Sequence, residues 1–162
     1  EKMKVETLEL EAFSIVGITV RTDNSDIQKL THDMQSLWGK FIAENIAQQI
    51  PDKIDESIYC VYTDYAGDHT QPYTALLGCK VAATVLQSVS LPTGLVAQQF
   101  AGGKYNKYLV KGNLLEGAVF AKWQEIWAQD IPRAYTADFE VYGANSQNLE
   151  AAEVEIFIAI RD

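Results

Sequence analysis

The chain has 162 residues, of which 48% are hydrophobic and 22% are charged, proportions typical of a folded globular domain and unlike those of a disordered or membrane-spanning chain. The 13 basic and 22 acidic residues give a net charge of -9, which repels nucleic-acid phosphates and anionic lipid. We therefore expect a single domain over residues 1–162, located in the cytoplasm, with no direct contact to nucleic acid or membrane.

The first third of the sequence predicts a long strand followed by a helix. Residues 5–21 are rich in β-branched residues and predict a strand that breaks near Glu11. Ser25 and Gln28 have the capping-box spacing that starts a helix, and Pro51 ends it. Helical spacing places one apolar set on a single face of this helix: Ile27, Leu30, Met34, Leu37, Trp38, Phe41 and Ile42.

The rest of the sequence predicts further strands and a second helix. The strand segments share β-branched or aromatic residues and end at turn-forming residues: 58–63, 74–84, 95–100, 104–111, 137–142 and 154–160. Between the fourth and fifth of these, Asn113 and Glu116 have the spacing of another helix cap. Trp123 lies on the apolar face of the helix that follows, as Trp38 does in the first helix, and we assign both indoles to core packing.

The order of these elements occurs twice, which predicts two pseudo-repeats at about residues 5–86 and 95–161. Each unit reads strand, helix, strand, strand. When Tyr62 is aligned with Tyr142, Cys60 falls on Glu140. An acid therefore stands where the equivalent strand has a thiol, and the boundary between two repeats is a natural place for a ligand.

Two such units side by side predict an α+β fold with one antiparallel sheet, both helices on one face and a ligand cleft on the other. Alternation along the strands assigns the aliphatic side chains of residues 154–160 to the helix face, together with Phe139 and Val141. By the same alternation Glu140, Tyr142 and Phe157 point to the open face.

The repeat order, the segment Asp138-Phe139-Glu140-Val141-Tyr142 and Pro132 just after the second helix resemble the gyrase-inhibitor-like, or AraC-type effector-binding, domain family. The resemblance covers about residues 5–160 and is closest to the stand-alone bacterial branch. It implies a role in multidrug binding or transcription regulation, through uptake of lipophilic, often cationic, small molecules between the repeats. The pocket acid of that family corresponds to Glu140.

The residue types around Glu140 agree with a site for a cation. A carboxylate among aromatic rings loses hydration, so an incoming cation stabilises its ionised form. Tyr62 and Tyr142 are the expected walls of the site, and Tyr65 is the expected rim. An outward-facing strand residue in ordinary surroundings is the alternative for Glu140.

Two further residues are assigned to the open face and to the ligand site. Gly78 interrupts an apolar strand, where a missing side chain leaves room for a ligand or for a crossing strand, and a β-bulge is the alternative. Phe157 is the aromatic residue of the last strand that alternation points toward the cleft.

The function predicted from the sequence is a small-molecule binding module that senses or sequesters its ligand. A hydrolase that opens strained electrophilic rings is an alternative, with Glu140 as base and Tyr142 as acid. A module that acts on a DNA-handling enzyme is another, although the acidic residues form no dense run. We expect no cofactor and no metal, a monomer or weak dimer, and leave a protein partner open.

Overall fold

The computed structural model describes residues 5–85 and 90–162. Within them, eight strands form one antiparallel sheet in the order β1-β6-β8-β7-β3-β4-β2-β5. The strands are β1 (Val5–Leu10), β2 (Phe13–Thr22), β3 (Ile58–Thr63), β4 (Tyr73–Val81), β5 (Val96–Phe100), β6 (Gly103–Gly112), β7 (Ala137–Tyr142) and β8 (Ala152–Ala159). The predicted α+β fold with a single antiparallel sheet is confirmed.

The main α-helices in the described ranges are α1 (Ile27–Ala43), the short α2 (Ile46–Gln49) and α3 (Ala118–Trp127), and three single 3-10 turns lie at Leu114–Glu116, Ala144–Ser146 and Leu149–Ala151. The cap of α1 is Asp26, whose carboxylate accepts from the Lys29 N–H at 3.0 Å. The predicted cap was one residue too early because Asp23 already engages the Ser25 N–H. None of the helices in the described ranges is long and apolar enough to cross a membrane.

The topology has an internal twofold pattern. Exchanging β1 with β5, β2 with β6, β3 with β7 and β4 with β8 reproduces the strand order read backwards. The centre of the pattern is the β3–β7 pair, where Cys60 lies directly opposite Glu140. The sequence alignment equates the same two residues, so the pseudo-twofold axis passes between them.

Both long helices cover the same face of the sheet. Leu37 and Phe41 of α1 pack on Ile18 and Leu77, while Ile126 of α3 packs in a cluster with Ile156 and its strand neighbours. The prediction that the aliphatic residues of β8 lie under a helix is correct for Val154, Ile156 and Ile158.

Phe139 and Val141 were assigned to the helix face, and this was wrong. Phe139 pairs with Phe157 in the β7–β8 register, whereas Glu140 pairs with Ile156. Since directly opposed residues share a face, Glu140 lies on the helix side and Phe139 on the far side, where its ring stacks on Phe157 with centroids 4.6 Å apart.

The sheet curves around its far face and buries the apolar side chains there. Phe13 of β2 and Phe139 of β7 belong to strands separated by two others, yet their ring centroids are only 5.0 Å apart. The far face is thus a second buried core, which also includes Tyr59, Leu76 and Phe100. In the described residues this core fills the middle of the far face, where the sequence placed the cleft.

Gly78 serves the close approach of two strands. It lies opposite Gly17 in the β2–β4 register. A Cβ on Gly78 would come within 2.0 Å of the Val16 carbonyl oxygen, and a Cβ on Gly17 equally near that of Leu77. Of the expected reasons for this glycine, strand contact is therefore the one observed.

Candidate functional site

A ligand-sized cavity that contains Glu140 lies on the helix face, between α1 and α3, with a volume of about 570 Å³. The cleft was predicted on the opposite face, and this correction follows from the β7–β8 register. Helix α1 contributes Leu30, Met34 and Trp38, and α3 contributes Phe120, Trp123 and Trp127. The helices form the sides, and the central strands β3 and β7 form the floor.

Glu140 occupies the middle of this floor. The residue is only 2% exposed, and it lies at the pseudo-twofold axis, on the boundary between the two repeats. Tyr62 and Tyr142, equivalent in the two repeats, lie on either side of it and line the same cavity. The acid is thus shared by both halves of the fold.

Three donors converge on the Glu140 carboxylate. The Tyr62 hydroxyl donates to Oε2 at 2.9 Å, the Trp123 indole N–H donates to the same oxygen at 2.6 Å, and the Tyr142 hydroxyl donates to Oε1 at 2.6 Å. Hydrogen bonds to a charged acceptor are stronger than neutral ones. They hold the carboxylate in one orientation at the cavity floor.

Aromatic rings support these donors in a symmetric pattern. Trp123 meets Tyr62 edge to face at 5.5 Å, and Trp38 meets Tyr142 in the same way at 4.9 Å. The two indoles are equivalent in the repeats, and both belong to the cavity wall. Their assignment to the core alone missed this role, although Trp123 also packs in the buried cluster beneath α3.

Burial raises the pKa of Glu140 above its usual range, and the three hydrogen bonds oppose that rise. Burial and the nearby carboxylate likewise raise the pKa values of Tyr62 and Tyr142, so both phenols keep their protons. Among the ion pairs of residues 5–85 and 90–162, none involves Glu140. A buried carboxylate without a cationic partner is costly in free energy, so a cation that binds next to it stabilises it strongly.

A second acid on the same side of β7, Asp138, already has a cationic partner. Asp138 is fully buried and accepts from Arg133 Nη2 at 2.6 Å, from the Tyr65 hydroxyl at 2.5 Å and from the Ala159 N–H at 2.9 Å. Arg133 and Tyr65 also line the cavity. Of the two acids, Glu140 is therefore the one whose charge is available to a ligand.

The structure brings four of the predicted ligand-binding residues together at the cavity: Glu140, Tyr62, Tyr142 and Tyr65. It does not bring Gly78 or Phe157 there, since both point to the far face, where Gly78 touches a neighbouring strand and Phe157 stacks on Phe139. Both residues lie on the face away from the helices, as predicted, but the cleft was wrongly placed on that face too.

Sequence reasoning missed Arg133 and His69 as cavity residues. His69 stacks on Trp127 with the two rings nearly parallel and 5.5 Å apart. Both residues lie outside the regular elements, where no hydrophobic period indicates direction. The one available signal for Arg133 was its position five residues before Asp138, just after Pro132.

The fold and site define a class of protein: a duplicated α+β domain with an aromatic cavity between its two helices and a buried acid on the symmetry axis. The sequence matches the family model described as "Integron-associated effector binding protein" over residues 6–160, and the chain belongs to this family. The predicted effector-binding resemblance is thereby confirmed. Family membership and the cavity together support small-molecule binding.

Individual relatives agree with this assignment. The crystal structure of the integron cassette protein VCH_CASS2 from the mobile metagenome of Vibrio cholerae is 30% identical, with a TM-score of 0.73 and coverage of 97% of this chain and 95% of that one. YobU of Bacillus subtilis (strain 168), provisionally described as a transcriptional regulator, is 24% identical over 95% of this chain and 94% of its own length.

A third relative was solved with a small molecule bound. SAV2435 in complex with tetraphenylphosphonium superposes with a TM-score of 0.75, covering 98% of this chain and 94% of that one. The identity is 16%, so the likeness concerns the fold.

Proposed function

We propose that this protein is a receptor that binds a lipophilic, singly charged cation in the cavity between α1 and α3 and thereby senses or sequesters it. The observation that carries the proposal is the buried Glu140, which has three hydrogen-bond donors and no ion-pair partner among the described residues. A cation entering the cavity would supply the missing positive charge.

The lining selects for an apolar body around that charge. Trp38, Tyr62, Trp123, Trp127 and Tyr142 present rings to the cavity. Such rings bury large apolar areas and attract cations through their faces. A small hydrated ion would gain little from these rings, whereas a cation that carries aromatic groups gains both apolar contacts and attraction to the ring faces.

Charge balance limits the ligand to one positive charge. Arg133 already pairs with Asp138, so Glu140 supplies the single uncompensated carboxylate of the cavity among the described residues. A second positive charge on the ligand would lie near the Arg133 guanidinium and be repelled.

A regulatory role agrees with the description of YobU as a transcriptional regulator, and tetraphenylphosphonium, the compound bound to SAV2435, is a suitable probe. Tetraphenylborate has the same shape and the opposite charge. Calorimetric titration should show saturable binding of tetraphenylphosphonium and no binding of tetraphenylborate. Equal binding of the two ions would contradict a site built around Glu140. If neither ion binds, the proposed receptor role is wrong.

A further inference from the structure

A second hollow, the side pocket, adjoins the cavity on the helix face. It has a volume of about 540 Å³ and is formed by the end of α1, the start of β3 and the segment that follows β7. Trp38, Leu114 and Tyr142 line both the cavity and the side pocket. The two hollows are therefore neighbours across one row of side chains, in which Trp38 and Tyr142 meet edge to face at 4.9 Å.

Apolar side chains of the side pocket are left in contact with water. Ile42 of α1 is 65% exposed, and Leu149, in the turn before β8, is 45% exposed. Ile58 lines the same hollow and is half-buried. Exposed apolar residues that line one hollow, unlike singly scattered ones, indicate a binding surface. A ligand that covers them gains free energy by removing apolar surface from water.

The two repeats differ at this place. Ile58 is the repeat equivalent of Asp138, since these residues lie four positions before Tyr62 and Tyr142 respectively. In the second repeat the position carries an acid that pairs with Arg133, whereas in the first repeat it is aliphatic. The pseudo-symmetric scaffold therefore offers a buried ion pair on one side of the central acid and an apolar hollow on the other.

We infer that the side pocket is a second subsite of the ligand site and takes an uncharged alkyl tail attached to the cation that Glu140 holds. The tail is uncharged because Glu56, the charged residue of the lining, has a side chain that is 90% exposed and pairs with Lys53. The inference rests on the proposed function and deepens it: the ligand class becomes a cationic amphiphile, a lipophilic monocation with a flexible apolar tail.

Strand geometry sets the length of that tail. Tyr142 lies two residues beyond Glu140 on the same side of β7, a separation of about 7 Å along the strand. An extended chain advances about 3.5 Å over three bonds, so roughly six bonds lead from a charge beside Glu140 to the side pocket. A tail of four carbons therefore ends before the side pocket, and a tail of ten carbons places about four methylenes in it.

Butyl-triphenylphosphonium and decyl-triphenylphosphonium form a matched pair of probes, since they share the cation and the aromatic body and differ only in the length of the tail. Each buried methylene tightens binding about fourfold, and the ordering of the chain offsets part of this gain. We expect the wild-type protein to bind the decyl probe at least about tenfold more tightly in calorimetric titrations. A ratio near one would overturn the subsite.

Two double variants assign the preference for the decyl probe to the side pocket. Ile42→Gln with Leu149→Gln removes apolar surface there without touching the lining of the cavity, and the preference should fall below about threefold. Ile54→Gln with Leu109→Gln makes the same chemical change at residues that are 60% and 41% exposed and lie outside both hollows. In this control the preference should stay within about twofold of wild type. All four positions are exposed, so we expect both variants to fold, and thermal melts verify this.

A decyl probe with a terminal bromine locates the end of the tail without any variant. In a crystal of the wild-type complex, the anomalous signal of the bromine should lie in the side pocket, beside Ile42. A bromine peak in the cavity next to Arg133, or on the outer surface, would contradict the subsite even if the decyl probe binds more tightly.

The outcomes separate this inference from the receptor role. If the wild-type protein binds neither probe, the receptor role itself is wrong. If it binds both probes equally, the receptor role stands, something other than the ligand covers the side pocket, and the inference is wrong. A decyl preference that survives unchanged in the Ile42→Gln and Leu149→Gln double variant places the tail elsewhere and contradicts the assignment.

Discussion

Replacing Glu140 with glutamine removes the charge of the cavity floor with almost no change in side-chain shape. The amide oxygen can still accept from Trp123 and Tyr62, and the amide N–H₂ can donate to the Tyr142 hydroxyl once that hydroxyl rotates. We therefore expect a folded variant in which the electrostatic attraction for a cation is lost.

The size of the loss follows from Coulomb's law. For a ligand charge about 6 Å from the carboxylate and an effective dielectric constant of about 20, the attraction is about 3 kcal/mol. That corresponds to a roughly hundredfold weaker affinity for tetraphenylphosphonium. Calorimetry gives the affinity directly, and quenching of the three cavity tryptophans, Trp38, Trp123 and Trp127, gives an independent measure.

Glu155→Gln is the matched control, because it makes the same change in net charge outside the cavity. Glu155 lies on the far face in a solvent-accessible pair with Lys107, where screening reduces its influence on the ligand. Its affinity for tetraphenylphosphonium should stay within about twofold of wild type. Similar losses in both variants would refute a local role for Glu140 and point to the overall negative field of the protein.

Three further predictions concern pH, the ion pair and the far face. Because burial raises the pKa of Glu140, the affinity of the wild-type protein for a cation should fall as the pH drops and the carboxylate takes up a proton, while the affinity of Glu140→Gln should not change with pH. Without ligand, the wild-type protein should lose stability relative to this variant as the pH rises through the raised pKa of Glu140. If the unfolding free energies of the two proteins change with pH in parallel, the raised pKa is contradicted. Arg133→Met leaves Asp138 buried without its cation and should lower the free energy of unfolding, measured by urea titration, by about 3–5 kcal/mol. Lys107→Met, which breaks the exposed pair with Glu155, should lower it by less than about 1 kcal/mol. Equal losses would mean that the buried ion pair contributes no more than the exposed one. Phe157→Ala should lower the free energy of unfolding by about 3–5 kcal/mol but leave the affinity of the folded protein for tetraphenylphosphonium unchanged. A large loss of affinity would show that Phe157 belongs to the ligand site after all.

Much of the architecture could be predicted because the local signals agree with the final fold. The helical period locates α1. The predicted cap Asn113 accepts from the Leu115 N–H, but it caps only a single 3-10 turn, Leu114–Glu116, and α3 begins later, at Ala118, after Gly117. The repeat alignment equated Cys60 with Glu140, and the strand register places these two residues opposite each other at the centre of the sheet. Repeat symmetry thus singled out Glu140 as the candidate site acid, which composition alone could not do.

The face of the sheet could not be predicted because both faces are apolar. Alternation distinguishes two faces only when one is solvated, whereas here the curved sheet buries Phe139 and Phe157 almost as completely as the helices bury Ile156. The register of β7 against β8 resolves the choice, and it depends on long-range pairing. Arg133 was missed for a related reason, since a loop residue acquires its partner only when the fold brings Asp138 to it.

The most direct test of the receptor role is a crystal structure with tetraphenylarsonium, whose arsenic can be located by anomalous scattering. We predict a single strong peak between α1 and α3, above the carboxylate of Glu140 and bordered by Trp38 and Trp123. A peak on the far face or on the outer surface, or saturable binding with no density in the cavity, would contradict the account.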